Sequence, residues 1–248
     1  QRLVWLGTLP NGGWSKAWDV SADGSVVVGT SDSPSGKRAF LWRNGVMLDL
    51  GTLPGYEHSE ARGVSWDGAV VVGWVEDDYY VDYLAFGWRR ETGMYPLTTP
   101  GSYSQAWDVS ADGSVAVGVV YYSDPYLYNI AVRWLPNGVL EYLGTLGGQE
   151  CCSAALGVSP DSSVIVGISE LNPLPFKSTE AFRWWNGIME PINPPPDYDA
   201  NQAESVSANG SVVVGGCWAP WSIQNRSRAF RWENGRSQDL GTLGGPNS

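Results

Sequence analysis

Short apolar runs broken by turn residues organise this chain. The segment Val20–Gly29 reads Val-Ser-Ala-Asp-Gly-Ser-Val-Val-Val-Gly, and related segments begin at Val64, Val109, Val158 and Val206, 44 to 49 residues apart. Within each copy, an Asp-Gly pair or a close substitute precedes a β-branched run, a pattern that predicts a tight hairpin between two strands. Apolar residues never keep a 3.6-residue period over a dozen positions, so a helical protein is excluded.

A second motif completes each repeat. It consists of alanine, then phenylalanine or valine, then any residue, then tryptophan; an Asn-Gly turn usually comes next, followed by a fourth short strand. Because these tryptophans recur in register, we predict that they pack between neighbouring repeats. They are Trp42, Trp88, Trp134, Trp184 and Trp232.

Four strands in every 44 to 49 residues are typical of β-propeller blades. We therefore predict an all-β, five-bladed β-propeller of four-stranded antiparallel blades, formed as a single domain by residues 1–248. The predicted blades cover approximately 15–53, 59–99, 104–146, 153–193 and 201–243.

The fourth-strand motif occurs more often than the other two. Leu-Gly-Thr-Leu begins at Leu6, Leu50, Leu143 and Leu240, with degenerate copies at Leu97 and Ile192, so there is one surplus copy. Residues 1–9 and residues 238–243 would compete for the same edge of the last blade. Three interpretations stay open: an extra outer strand, a chain cut from a longer array, or exchange of the surplus strand with another molecule.

The composition argues against several classes of function. The formal net charge of −11 opposes binding to a phosphate backbone, and no apolar run is long enough to cross a membrane. With one histidine and three cysteines, we expect no metal, no cofactor and no enzymatic activity. An amino-terminal glutamine, only three lysines and abundant tryptophan favour a secreted or cell-surface protein.

The loops after the second strands are rich in aromatic residues. Flat rings flanked by carboxylates and amides suit stacking on sugars, but they are equally suited to a protein interface or to covering the blade ends. The candidate ligand-binding or interface residues are Trp74, Tyr79, Tyr80, Tyr83, Tyr121, Tyr122, Tyr126, Tyr128, Trp218 and Trp221.

Three other features are candidates for chemistry. Asp19 and Asp108 occupy matching first-strand positions, which would permit a glycosidase, although such aspartates often only accept backbone hydrogen bonds. In an oxidising compartment, we expect Cys217 to pair with Cys152 or Cys151. The sequence Asn225-Arg-Ser matches the glycosylation acceptor pattern in a long loop.

The combined motifs resemble the HAF family of extracellular repeats. The resemblance rests on Ala-Phe-x-Trp, Asn-Gly, Asp-Leu-Gly-Thr-Leu-Gly-Gly, Val-Ser-x-Asp-Gly and Val-Val-Gly, and it covers nearly the whole chain. This chain departs from the family pattern by having arginine or another residue where histidine often precedes Ala-Phe. The resemblance implies a secreted or surface propeller and supplies no catalytic residues.

These observations predict a non-catalytic structural or assembly component. It would form homo-oligomers or filaments by head-to-tail strand exchange or through its loop face. The alternative is a lectin-like module that binds extracellular glycans or proteins through the aromatic loops. A glycosidase built on Asp19 and Asp108 is the least favoured reading.

Overall fold

The computed structural model describes residues 3–79, 82–98, 103–122, 128–148, 152–171, 178–219 and 227–242. Within these ranges the chain forms 20 strands in five four-stranded sheets. Strands follow one another across each sheet in chain order, so every sheet is a meander.

The first two blades lie in the amino-terminal half. Blade 1 comprises β1 (Ser15–Val20), β2 (Val26–Ser31), β3 (Arg38–Arg43) and β4 (Val46–Asp49). Blade 2 comprises β5 (His58–Val64), β6 (Val70–Glu76), β7 (Tyr83–Arg89) and β8 (Gly93–Pro96).

The remaining three blades repeat this order. Blade 3 comprises β9 (Ser104–Val109), β10 (Ala116–Tyr122), β11 (Tyr128–Trp134) and β12 (Leu140–Gly144). Blade 4 comprises β13 (Ser153–Val158), β14 (Val164–Glu170), β15 (Thr179–Trp185) and β16 (Ile188–Ile192). Blade 5 comprises β17 (Ala200–Val206), β18 (Val212–Trp218), β19 (Ser227–Glu233) and β20 (Arg236–Asp239). The predicted all-β class with five four-stranded antiparallel blades is confirmed.

The chain divides into two compact units. One contains Gln1–Ala116 and Trp134–Val139, and the other contains Val117–Arg133 and Leu140–Ser248. Blades 1 and 2 lie in the first unit, and blades 4 and 5 lie in the second. The single domain predicted over residues 1–248 stays a prediction.

The hairpin between the first two strands of a blade has a defined hydrogen-bond pattern. In blade 1, Asp23 Oδ1 accepts from Ser21 Oγ at 2.8 Å and from the Ser25 amide at 2.9 Å. Gly24 follows with φ of 72°, which glycine adopts without strain. In blade 5, Asn209 Oδ1 accepts the equivalent two bonds, so the turn needs the oxygen and not its charge.

The hairpin glycine also touches the preceding blade. A Cβ atom on Gly68 would lie 2.5 Å from Val26 Cγ2, and one on Gly210 would lie 2.6 Å from Val164 Cγ2. Gly24, in blade 1, has nothing within 4 Å of the same position. This close approach therefore belongs to the contact between blades and is not needed for the hairpin itself.

Each blade packs through two apolar faces. We call the face turned toward the next blade the leading face and the face turned toward the preceding blade the trailing face. In the first unit, Val28 and Ala39 of the blade 1 leading face form one core with Ala61 and Val64 of the blade 2 trailing face. The second unit repeats this arrangement, since Val166 and Ala181 of blade 4 pack in one core with Ala203, Val213 and Phe230 of blade 5.

A side chain at the start of the next blade joins each pair of blades. In blade 2, buried Ser59 Oγ accepts from the Ala39 amide at 2.9 Å and donates to the Gly51 carbonyl at 2.6 Å. We call the bond to the alanine amide the junction hydrogen bond. It recurs from Ala85 to Ser104 at 3.0 Å, from Ala131 to Ser153 at 2.9 Å and from Ala181 to Asn201 at 2.8 Å.

Replacing Ser59 by alanine tests how much this bond contributes to the free energy of unfolding. Ser59→Ala leaves the buried Ala39 amide and the partly buried Gly51 carbonyl without their partner, so we expect the free energy of unfolding to fall by about 1–3 kcal/mol. Ser15→Ala is the matched control, because Ser15 is half-buried and bonds only the Gly7 carbonyl, at 2.7 Å. Urea denaturation measures both, and equal losses would contradict this role for the junction hydrogen bond.

The hairpin aspartates predict a loss of stability in acid. The Ser25 amide and the Ser21 hydroxyl lower the pKa of Asp23 to about 2, and the Ser110 and Ser114 hydroxyls lower the pKa of Asp112. The unfolded value is about 3.9, so this stabilisation is complete above pH ~5 and is lost as pH falls toward ~2. We expect Asp23→Asn, which imitates Asn209, to keep the hairpin and reduce the dependence of the melting temperature on pH between 2 and 5. An unchanged pH dependence would contradict the assignment.

Candidate functional site

Two blade faces are uncovered in the described part of the chain. On the trailing face of blade 1, Val20 is 51% exposed and Ala17 is exposed, whereas their blade 2 counterparts, Val64 and Ala61, are buried. On the leading face of blade 5, Val214 is 39% exposed and Ala229 is exposed. Their blade 4 counterparts, Val166 and Ala181, are fully buried. Each face thus carries residue types that are buried where neighbouring blades meet.

Polar groups on these faces match in the same way. Ser15 stands where Ser59 and Ser153 stand in their blades, and it keeps the bond to the preceding glycine carbonyl, at 2.7 Å to Gly7. Among the described residues, no alanine amide donates to Ser15, and no side-chain oxygen accepts from the Ala229 amide. Ser15 is thus the acceptor half of a junction hydrogen bond, and Ala229 is the donor half.

The surplus Leu-Gly-Thr-Leu segment lies on blade 1. Leu9 is buried, and its amide donates to Ser31 Oγ at 3.0 Å. Just before this segment, Leu3, Val4 and Trp5 are 99%, 61% and 81% exposed, and residues 3–8 form no strand. The carboxy-terminal copy instead supplies β20, the fourth strand of blade 5, with the Leu240 amide donating to the Ala229 carbonyl at 2.9 Å. The predicted surplus strand is therefore not formed by the described residues of 1–9.

Two of the aromatic residues predicted to lie in loops are found on β10 and β11 of blade 3, where they contact each other. The rings of Tyr122 and Tyr128 stack with centroids 4.9 Å apart and planes at 14°. Tyr122 donates its hydroxyl hydrogen bond to Tyr142 at 2.6 Å, and Tyr142 is 53% exposed. Burial, reinforced by the bond to Tyr142, raises the pKa of Tyr122, so the phenol stays neutral.

These tyrosines line an open groove of about 480 Å³. Among the residues that the structure describes, Ile130, Thr145 and two glycines also line it, and none of these side chains is charged. The sequence analysis did not include Tyr142, because it lies on the fourth strand of the blade and not in a loop. Its alternation on β12 relative to buried Leu143 is the signal that marks it as outward-facing.

Trp74 does not belong to the aromatic loops, contrary to the sequence-based assignment. It lies on β6 and is only 5% exposed, because the second strand of blade 2 continues to Glu76. Its ring centroid lies 5.0 Å from that of Trp107.

Arg62 is the centre of this tryptophan cluster. Its guanidinium carbon lies 3.7 Å from the Trp18 ring centroid, 4.6 Å from Trp107 and 4.8 Å from Trp74. Glu60 Oε1 holds Arg62 Nε at 2.7 Å, so the cation is both paired and stacked. Such desolvated stacking contributes about 2 kcal/mol. The cluster ties the first strands of blades 1 to 3 together within the first unit.

The residues that form this cluster share a backbone feature. The pairing of first and second strands shifts register at Trp18 in blade 1 and at Arg62 in blade 2, which marks a β-bulge. Trp107 occupies the equivalent sequence position in blade 3. Bulges re-aim a side chain, and the recurring alanine before each one would have revealed the set in the sequence.

The predicted glycosidase carboxylates have structural partners. Asp19 Oδ2 accepts from the Val64 amide of blade 2 at 2.8 Å, and Oδ1 accepts from the Val20 amide at 2.7 Å. Burial raises the pKa of Asp19, while these two amides oppose the rise. Asp108 Oδ1 accepts from its own following amide, that of Val109, at 2.7 Å. Asp19 thus acts as a second polar link between blades.

The other predicted site residues are dispersed. Tyr79 is 83% exposed, whereas Tyr83, Tyr121 and Trp218 are half-buried. Of the five repeated tryptophans, Trp88, Trp134 and Trp184 are buried, and Trp42 and Trp232 are half-buried. The predictions that lie outside the described residues concern Tyr80, Tyr126, Trp221, Cys151 and Asn225. His58 is 9% exposed, and its Nδ1 accepts from the Lys37 amide.

The predicted Cys152–Cys217 disulfide is wrong, since both thiols are free. Cys217 is fully buried in the core of blade 5, where its Sγ lies 3.4 Å from the Arg228 carbonyl. Burial first, and then the charge of Asp239, raises the pKa of this thiol to about 11. The side chain is therefore an inert part of the apolar packing.

Two kinds of feature are absent from the described ranges. They contain no helix long and apolar enough to span a membrane. They also contain no group of three or more histidine, cysteine, aspartate or glutamate residues arranged to hold a metal ion.

Comparison with known proteins identifies the fold. No family model matches the chain, and no curated protein matches it. A TolB-type protein from Agrobacterium tumefaciens is 15% identical, with a TM-score of 0.63 over 92% of this chain and 80% of that one. TolB from Acinetobacter baumannii is 16% identical, with a TM-score of 0.58 over 87% of this chain, which spans 51% of the TolB chain. At these identities the likeness shows a β-propeller fold and nothing finer.

The prediction that the protein is not an enzyme is contradicted by further similar structures. Puromycin hydrolase is 15% identical, with a TM-score of 0.61 over 97% of this chain and 40% of its own. Dipeptidyl peptidase 4 from Porphyromonas gingivalis and an acylaminoacyl peptidase share the fold as well. The prediction failed because it weighed catalytic residues within this chain, whereas these enzymes contain a matching part in a longer chain.

Proposed function

We propose that the protein is a secreted or cell-surface β-propeller that associates head to tail with copies of itself. The leading face of blade 5 in one copy packs on the trailing face of blade 1 in the next. The observation that carries this proposal is a pair of junction groups: among the described residues, the Ala229 amide donates to no side-chain oxygen, and Ser15 Oγ, which donates to the Gly7 carbonyl, accepts from no alanine amide.

The repeat within the chain supplies the model for this contact. Four junctions already bury an alanine from each face and form a junction hydrogen bond of 2.8 to 3.0 Å, and three of them also bury a valine from each face. The same residue types stand at the same register on both uncovered faces. A contact between two different faces that does not close on itself produces a filament.

Charge will set the conditions for assembly. Each copy carries a formal net charge of −11, so copies repel one another at low ionic strength. Salt at about 0.15 M screens this repulsion beyond roughly 8 Å, while the apolar contact is not weakened. Assembly should therefore strengthen as salt is added, the opposite of a contact held by ion pairs.

The location forms part of the same proposal. The repeat motifs resemble extracellular HAF repeats, and likeness to TolB proteins is compatible with a place outside the cytoplasm or at the cell envelope. The two TolB proteins are 15% and 16% identical to this chain, so we propose the family and the location and do not derive them from that likeness.

A second candidate function is binding of neutral glycans in the groove of Tyr122, Tyr128 and Tyr142. Stacked phenol rings offer apolar faces to the C–H surfaces of sugars, and their hydroxyls offer hydrogen bonds. The described residues of the lining carry no charge, which favours neutral over acidic sugars.

The assembly proposal predicts the effect of a single charge. Val20→Asp places a carboxylate in the centre of the contact, and we expect the larger species to disappear. Val46→Asp is the matched control, because Val46 is 66% exposed on β4 of the same blade, away from the trailing face. Sedimentation velocity and electron microscopy over a range of concentrations and salt measure both. A wild-type protein that stays at 26.9 kDa under all conditions would overturn the proposal.

The glycan proposal predicts a loss at one tyrosine. Removing the ring in Tyr142→Ala should weaken binding to neutral oligosaccharides by about tenfold, the effect of losing one aromatic stacking contact. Tyr79→Ala, at an 83% exposed tyrosine outside the groove, should bind as the wild type does. A glycan array followed by calorimetry provides the measurement. Absence of wild-type binding, or equal binding by both variants, would contradict this function.

A further inference from the structure

A cavity of about 320 Å³ lies between blades 2 and 3, and every residue that lines it belongs to the first unit. Its wall on blade 2 comes from β6, β7 and β8, and its wall on blade 3 comes from the hairpin of β9 and β10 and from the turn after β11. The volume is at the small end of the range for ligand pockets, roughly 300–1,000 Å³. Among its lining residues are Arg89, Tyr95, Trp134, Leu135 and Pro136.

Gly87 shapes one wall of this cavity. It is the third residue of the Ala-Phe-x-Trp motif, where blade 1 has Leu41 and blades 3 to 5 have arginine. A Cβ atom on Gly87 would lie 2.5 Å from Tyr95 Cζ and 2.6 Å from Tyr95 Oη, because the two residues pair across β7 and β8. The Tyr95 ring therefore lies over the glycine and gives the cavity a phenol wall.

Arg89 is the one charged side chain among the described residues that line the cavity. It is half-buried, and its Nη2 donates to the Gly113 carbonyl of blade 3 at 3.3 Å. Within the described ranges it forms no ion pair. The Ser65 hydroxyl and the Ala69 amide lower the pKa of Asp67 first, and the charge of Arg89 contributes least, so Asp67 is only weakly coupled to it. A cation held partly out of water is destabilising unless an anion pairs with it.

The junction of blades 1 and 2 contains a smaller cavity at the equivalent place, about 230 Å³ in volume. Its arginine, Arg43, stands at the strand position of Arg89 and shares the lining with Asp67 and Glu91. That cavity therefore contains carboxylates of the chain itself. In the larger cavity, the corresponding turn of blade 3 contributes leucine and proline instead.

We propose that the cavity between blades 2 and 3 binds a small carboxylate with an apolar body. The carboxylate pairs with the Arg89 guanidinium, and the apolar body lies against Trp134, Leu135 and Pro136. The hydroxyl of Tyr95, which forms no hydrogen bond with any other described residue, supplies a further donor. A free organic acid and the carboxyl terminus of a peptide both present this chemistry. The site lies within the first unit and does not depend on the proposed association.

Two probes that differ only in charge test the recognition. Full-length protein is titrated with 3-phenylpropionate and with its neutral amide, 3-phenylpropionamide, by calorimetry. We expect the acid to bind about tenfold more tightly than the amide or better, because the amide cannot form a charge-assisted bond with Arg89. Equal affinity for acid and amide would overturn the proposal.

A peptide probe distinguishes the two sources of the carboxylate. Tighter binding of acetyl-Gly-Gly-Phe than of 3-phenylpropionate supports a peptide carboxyl terminus as the ligand, and the reverse order supports a free acid. Absence of binding by both probes overturns the site.

Arg89→Gln tests the residue that carries the charge. We expect both probes to bind it about tenfold more weakly than they bind the wild type. Arg43→Gln is the matched control, since it removes the equivalent arginine from the smaller cavity, and it should leave the affinity unchanged. Equal effects of the two substitutions, or no effect of Arg89→Gln, would contradict the assignment.

A second variant fills the cavity and leaves its charge in place. Gly87→Leu combined with Tyr95→Leu copies the cross-strand pair of Leu41 and Leu48 in blade 1, so we expect it to fold, which thermal denaturation checks. We expect the affinity for 3-phenylpropionate to fall about tenfold as the apolar body loses its space. Wild-type affinity in this folded variant would place the binding elsewhere and overturn the proposal.

Discussion

The junction hydrogen bond is the contact on which the arrangement of the blades depends. The third-strand alanine at each junction is fully buried, and its amide donates to a side chain of the next blade. The side chain of Ser59, or its equivalent, both satisfies this amide and ties down the segment that connects the blades. One residue per blade thus gives the alanine amide of the preceding blade its hydrogen-bond partner and holds the connecting segment in place. Each blade therefore depends on its neighbour.

This dependence explains why the two ends of the array differ from its interior. Ala61 and Ala181 are fully buried, while Ala17 and Ala229 are exposed, although all four stand in the same kinds of strand. Each exposed face carries the residue types that are buried at the junctions between neighbouring blades. By contrast, the tyrosines of the blade 3 groove are not repeated at the equivalent sequence positions of the other blades. A feature of one repeat alone points toward a ligand, whereas a feature shared by all points toward the fold.

Sequence periodicity was sufficient for the blades and the hairpins, since both depend on residues close together in the chain. It failed where a contact joins distant positions. Arg62 stacks on rings from three blades, and although the recurring alanine marks the bulge positions, nothing near Arg62 in the chain indicates that Trp74 joins them. Trp74 was misassigned because one strand runs three residues beyond its glycine. Cysteine count suggested a disulfide, but Cys217 faces an apolar core. The scarcity of histidine and cysteine likewise gave no information about enzymes in which a propeller is one part of a longer chain.

The hairpin glycines differ in whether another blade lies against them. Gly68 and Gly210 cannot gain a Cβ atom because a valine of the preceding blade lies against them, while Gly24 has open space around it. Its φ of 72° is a conformation that asparagine also tolerates, as Asn44 and Asn234 do in this chain at φ of 53° and 51°. Other residues would be strained at this φ, asparagine least, and under the proposed head-to-tail association Val212 of a second copy would in addition exclude any Cβ atom there. Natural variation at position 24 should therefore admit asparagine if the protein acts alone and only glycine if it associates through this face.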